Sequence, residues 1–167
     1  MQLVRGLLSA GALFLAVPAV AGPLPVPEGD VVLTVTGRIA ETNGTDAAHF
    51  DLAMLQAMGP VRIETTTIWT EGVQVFEGIP LARLIEEVGA DGSVIAASAL
   101  NDYTIEIPLS DVVPDGPILA FAQNGEPLSV RDKGPLWVVY PYDMKADYQS
   151  EVIYSRSIWQ VKRMEIR

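Results

Sequence analysis

The chain has 167 residues, 49% hydrophobic and 19% charged, with no cysteine, one histidine and a net charge of −10. That is the length of one domain, and a chain of this size buries roughly 68–70% of its unfolded surface, so its core needs no covalent staple. The composition excludes disulfides, thiolate metal sites and cysteine nucleophiles, leaves His49 as the single imidazole, and offers no basic face for nucleic acid.

Residues 1–21 have the form of an export signal. Arg5 supplies the positive start, Gly6 to Val20 is a 15-residue apolar run too short and too broken for a membrane span, and Ala19-Val20-Ala21 is a small-x-small cleavage site. The expected mature chain therefore runs from Gly22 to Arg167 and is exported to a bacterial periplasm. Without Arg5 it carries 10 basic and 21 acidic residues, a charge of −11. Three basic and sixteen acidic residues lie between Gly22 and Val130, and seven basic and five acidic from Arg131 onward. The basic end is either a set of solvated strand ends that offset the rest of the fold or a local site for an electron-rich ligand.

After a Pro-rich lead-in, Val31 to Ile39 alternates as a half-buried strand. Asp51 is placed to cap a short helix over Leu52 to Met58, ended by Gly59-Pro60. Val61 to Ile68 reads as a strand, and Glu71-Gly72 and Glu77-Gly78 read as a loop around Phe76. Pro80 to Val88 is the clearest helix: proline in the first turn, Leu81, Leu84, Ile85 and Val88 on one face, and Gly89 at the end. Strands follow over Val94 to Ala99, Tyr103 to Ile107, Ile118 to Gln123, Leu136 to Tyr140 and Ile158 to Ile166, with Asn124-Gly125 as a two-residue hairpin turn. The expected fold is one α+β domain over residues 22–167, with a strand-rich mixed sheet and one or two short helices.

Four segments hold more polar and aromatic residues than a scaffold needs: Thr65 to Thr70, Ala99 to Tyr103, Arg131 to Pro141, and Ser155 to Gln160. All three tryptophans fall in them. Trp137 lies within an apolar strand and reads as core, whereas Trp69, in a polar loop, reads as a ligand contact. Arg131 and Lys133 are either a solvated pair around Asp132 or part of a site, and Arg156 has Glu151 and Asp147 as nearby acidic partners.

Phe76-x-Gly78-Ile79-Pro80-Leu81, then Asn101-Asp102-Tyr103-x-Ile105-x-Ile107-Pro108, Asn124-Gly125-x-Pro127-Leu128 and Lys133-Gly134-Pro135-Leu136-x-x-Val139-x-Pro141 occur in that order. Together they resemble the molybdopterin-binding domain of the sulfite oxidase family. The resemblance is strongest to small exported single-domain members that keep the fold without a full molybdenum site. Several of those bind free reduced pterins and report them to a membrane signalling enzyme. In the catalytic members a cysteine after the strand that here reads Arg62 to Thr67 holds the metal, and this chain has threonines there. A hydroxyl is a hard, weakly acidic donor and does not replace a thiolate on a high-valent metal.

The resemblance thus implies a reduced pterin as ligand, no bound molybdenum cofactor, no catalytic residue, and the periplasmic domain of a membrane signalling protein as partner. The alternative is a molybdopterin-dependent oxidoreductase subunit, and a third possibility is an interaction module that binds no ligand. A pterin needs an aromatic platform, for which Trp69, Trp159 and Tyr140 are candidates. Its amino and N–H edge needs an acceptor such as Asp102, and its carbonyl a donor such as Asn101, Arg131 or Arg156. Tyr103 and Lys133 complete the expected ligand-binding set.

Overall fold

The computed structural model describes residues 24–167, so the expected signal over 1–21 and its cleavage site lie outside the described residues. No helix among the described residues is long and apolar enough to cross a membrane.

Among the described residues ten strands form two sheets. β1 (Val31–Gly37), β2 (Ala47–Asp51), β5 (Val94–Ala99), β6 (Thr104–Pro108) and β10 (Val161–Ile166) make the first, in the order β2-β1-β10-β5-β6. β1 and β10 pair in parallel and the other neighbours antiparallel, so this sheet is mixed, as expected. The second contains β3 (Val61–Thr65), β4 (Gln74–Pro80), β7 (Ile118–Gln123) and β8 (Glu126–Pro127) in that order, and β9 (Trp137–Val139) also pairs β7. Leu33 and Val35 of the first sheet and Phe76, Ile79, Leu119 and Trp137 of the second enter one buried cluster.

The described residues hold three α-helices: α1 (Leu52–Ala57), α2 (Leu81–Glu87) and α3 (Glu151–Arg156). Asp51 caps α1 as expected, accepting from Met54 N at 2.8 Å, and also holds the lead-in by accepting from Gly29 N at 2.8 Å and Glu28 N at 2.9 Å. Leu81, Leu84 and Val88 are fully buried, the face that their spacing assigns to the core. Pro80 ends β4 and serves as the N-cap of α2 rather than entering its first turn. At the β7–β8 turn Asn124 and Gly125 both have positive φ, 52° and 86°, as a two-residue hairpin demands.

Three expectations need correction. The segment around Phe76 is a strand, not a loop: Phe76 is fully buried in β4 and meets the Trp137 ring edge-on at 5.2 Å. Glu71-Gly72 does lie in a loop, with Gly72 at a φ of 69°, but Glu77-Gly78 misleads as a turn signal because Gly78 serves a close approach, where a Cβ would collide with the backbone of Leu119 and Ala120. β2 is an unexpected strand, since Ala47, Ala48, Phe50 and Asp51 are all buried and no period-two pattern marks it. α3 raises the helix count above the expected one or two. Its six residues are too few to show a helical period, and its signal is local: Ser150 Oγ accepts from Ile153 N.

Candidate functional site

The loop from Thr66 to Val73, between β3 and β4, carries Trp69 into an aromatic pile. Its ring meets Trp137, Tyr154 and Trp159 edge-on, each at 5.8 Å between centroids, and Tyr142 at 6.2 Å. Local bonds set this course. Trp69 N donates to Thr67 Oγ1 at 3.0 Å, and the Thr67 and Thr70 hydroxyls are 2.7 Å apart. The loop is also clasped from the far side by Asp143. Its carboxylate accepts from Thr66 N at 2.6 Å and Thr66 Oγ1 at 2.7 Å, and its own N–H donates to Thr65 Oγ1 at 3.1 Å.

Beside this pile lies a cleft of about 410 Å³, inside the range of roughly 300–1,000 Å³ typical of small-molecule sites. Trp69 and Trp159 supply its aromatic walls, the turn after β5 supplies Asn101 and Tyr103, and the end of α3 supplies Tyr154, Ser155 and Ser157. Gln160 closes it before β10. Ser157 is buried and holds two neighbours, accepting from Tyr142 OH at 2.6 Å and donating to Ile153 O at 2.9 Å. No lining side chain is charged.

Of the nine expected ligand-binding residues, Trp69, Asn101, Tyr103 and Trp159 line the cleft. The other five lie outside its lining. Asp102 adopts a left-handed φ of 63° that turns its carboxylate away to Lys162 Nζ at 2.8 Å, where it is 76% exposed. The Lys162 ammonium holds that carboxyl below its ordinary range. Arg131 is exposed on the loop before β9, its backbone N–H donating to Ser129 Oγ. Lys133 pairs with Asp132 at 3.4 Å and sits 5.4 Å from the Trp137 ring centroid and 6.0 Å from that of Trp159. Tyr140 is buried and donates to Asp111 Oδ2 at 3.0 Å, and Arg156 bonds the same oxygen at 2.7 Å rather than Glu151 or Asp147. Burial, with the Asp111 carboxylate second, pushes the Tyr140 hydroxyl above its ordinary value. Tyr154, Ser155, Ser157 and Gln160 also line the cleft and are not singled out one by one in the sequence. Three of them lie within the polar segment Ser155 to Gln160 and the fourth is next to it.

The metal end of a molybdenum cofactor does not fit this donor set. The chain has no cysteine, and no group of three or more His, Asp or Glu side chains among the described residues is placed to hold an ion. In the loop where the resemblance places the metal ligand, Thr66 spends both its N–H and its hydroxyl on Asp143. The Thr66 N–H, followed by the Thr66 hydroxyl, holds the Asp143 carboxyl below its ordinary range. A carboxyl depressed on folding stabilises the clasp above its unfolded value and loses that contribution as pH falls through the folded value. Acid titration below pH about 4 should therefore loosen the Trp69 loop, seen as a change in tryptophan emission before global unfolding. In Asp143→Asn that early step should be gone.

The model of the family described as "Oxidoreductase molybdopterin binding domain" matches residues 39–147. That stretch holds Trp69, Asn101 and Tyr103, while α3, Trp159 and Gln160 lie beyond it. The chain is 29% identical over 82 residues to the uncharacterized oxidoreductase YuiH of Bacillus subtilis (strain 168), covering 48% of this chain and 41% of that protein. The crystal structure of the sulfane dehydrogenase SoxCD from Paracoccus pantotrophus superposes with a TM-score of 0.60 at 19% identity, over 87% of this chain and 40% of that one. The chain thus spans about two fifths of the length of either protein. With the motifs in order, two sheets of the sulfite oxidase-like fold and a family match covering most of the described residues, the chain belongs to the oxidoreductase molybdopterin-binding domain family.

Proposed function

We propose that the protein is an exported, periplasmic pterin-binding protein that reports its ligand to a membrane signalling partner and performs no redox catalysis of its own. The observation that carries this reading is the cleft itself: about 410 Å³, walled by Trp69 and Trp159, uncharged with both polar and apolar side chains, beside a loop that offers threonine hydroxyls instead of a thiolate. A flat bicyclic ring suits such walls, and a few hydrogen bonds with stacking suffice for micromolar affinity without a metal. The family's own cofactor contains a pterin, so the ligand keeps that part and dispenses with the rest.

Calorimetric titration with tetrahydropterins tests the proposal. Wild type should bind, and Trp69→Leu, which keeps apolar area but loses the flat face, should bind more weakly by about 0.5–1.5 kcal/mol, roughly 2- to 13-fold. Absence of any pterin binding by wild type would overturn it. The second reading, a molybdopterin-dependent oxidoreductase domain, is favoured by the family match over residues 39–147. About one molybdenum per chain in protein purified from a molybdenum-replete native host would establish that reading instead.

A further inference from the structure

Two side-chain amides reach the cleft, and each has one end already tied to the backbone. Asn101 Oδ1 accepts from Tyr103 N at 3.1 Å, so the end of Asn101 left for a ligand is its NH2, a donor. Gln160 Nε2 donates to Val130 O at 2.7 Å, so the end of Gln160 left for a ligand is its carbonyl, an acceptor. A backbone N–H only donates and a backbone carbonyl only accepts, so both amide orientations follow from chemistry. The two residues are also held side by side. Leu100 N donates to Gln160 O at 2.9 Å, and Gln160 N donates to Lys133 O at 3.0 Å. Gln160 keeps a left-handed φ of 53° under these bonds, a conformation costly for a non-glycine residue and maintained only where surroundings over-determine it.

We propose that Asn101 and Gln160 form a fixed donor–acceptor pair that reads the polar edge of the ligand. The pair selects a flat heterocycle presenting a ring carbonyl beside a ring N–H, the lactam edge of a 2-amino-4-oxo pteridine. The carbonyl receives the Asn101 amide and the N–H meets the Gln160 oxygen. A 2,4-diamino pteridine presents the reverse pattern, an amino donor beside an unprotonated ring nitrogen, and meets donor with donor and acceptor with acceptor. This inference rests on the pterin reading above and adds which edge is read and by which atoms.

The experiment is a calorimetric comparison of tetrahydropterin with the 2,4-diamino compound of the same oxidation state, under anaerobic conditions. Wild type should favour the 4-oxo compound by about 10- to 100-fold. Asn101→Asp keeps an oxygen for Tyr103 N and turns the free end from donor to acceptor. It should cut the preference at least about tenfold, through weaker 4-oxo and stronger 4-amino binding. Gln160→Met, of similar length without the acceptor, should weaken 4-oxo binding while leaving 4-amino binding equal to or tighter than in wild type. Thermal melts confirm that the folds are intact, and the ratio of two affinities within one variant is insensitive to partial unfolding. If wild type binds both compounds equally, or Asn101→Asp leaves the ratio unchanged, the amide pair is not the reader and the pterin reading stands. If wild type binds neither, the pterin reading falls and takes the pair's role with it.

Discussion

Replacing Trp137 by alanine is expected to lower the unfolding free energy by about 3–5 kcal/mol, a large part of the stability of an ordinary domain. The ring is fully buried, packed edge-on against Phe76 at 5.2 Å, Trp69 at 5.8 Å and Trp159 at 6.5 Å. Its indole N–H donates to Ser157 O at 3.2 Å, so truncation opens a cavity and also removes the donor from a buried carbonyl. The packing around it is shared by both walls of the cleft, which limits collapse into the space. Chemical denaturation checks the value: the midpoint should fall with the slope unchanged. Trp159, at 38% exposed, is the contrast. Its alanine variant should lose about 1 kcal/mol or less of stability while losing pterin affinity. A Trp137→Ala unfolding free energy within about 1 kcal/mol of wild type would contradict the packing described.

The second large effect is expected at Asp111. One carboxylate oxygen receives both the Arg156 guanidinium at 2.7 Å and the Tyr140 hydroxyl at 3.0 Å, with Asp111 and Arg156 only 17% and 23% exposed. Asp111→Ala leaves a half-desolvated cation and a buried phenol with no acceptor. A fully buried pair broken in this way costs about 3–5 kcal/mol, and residual solvent around Arg156 reduces the expectation to about 2–3 kcal/mol. Arg156→Ala should cost less, because Asp111 keeps Tyr140 and can turn to water. A double-mutant cycle then separates the pair from its parts, and a coupling below about 0.5 kcal/mol would mean that the three groups do not act together. Since Arg156 ends α3, which supplies Tyr154 and leads into Ser157, the Asp111→Ala variant should also bind pterin less tightly.

Legibility in the sequence followed the range of the interaction that decides each feature. α2 shows in its period, α1 in its Asp51 cap and the β7–β8 turn in Asn124-Gly125, because each is decided by residues within a turn or two. β4 and β2 do not show, because partners distant in the chain make them strands: Phe76 opposite Ile63 and Gln123, and Ala48 opposite Val35. The site divides the same way. Trp69, Asn101, Tyr103 and Trp159 stand out by type and segment. Which neighbour faces the cleft is set by backbone sign, and at Asp102 a left-handed residue presents 101 and 103 inward and itself to Lys162. For Arg156 the sequence offers acidic residues nearby, whereas the partner that fits its reach lies on the short 3-10 turn Leu109–Asp111.

The parallel pairing of β1 with β10 has a consequence for how the molecule comes into being. Thr34 meets Arg163 and Gly37 meets Ile166, residues from opposite ends of the described chain, in the middle of a five-stranded sheet. Until β10 arrives, β2-β1 and β5-β6 are two separate hairpins, each marginal in water by itself. Closing the sheet is therefore the most non-local event in assembly, and its loop-closure entropy must be met before any of its contacts form. A nascent chain emerging N-terminus first leaves this sheet open until β10 follows, with the unpaired edges of β1 and β5 available to other chains. Completion of this sheet is in effect gated by the arrival of one strand.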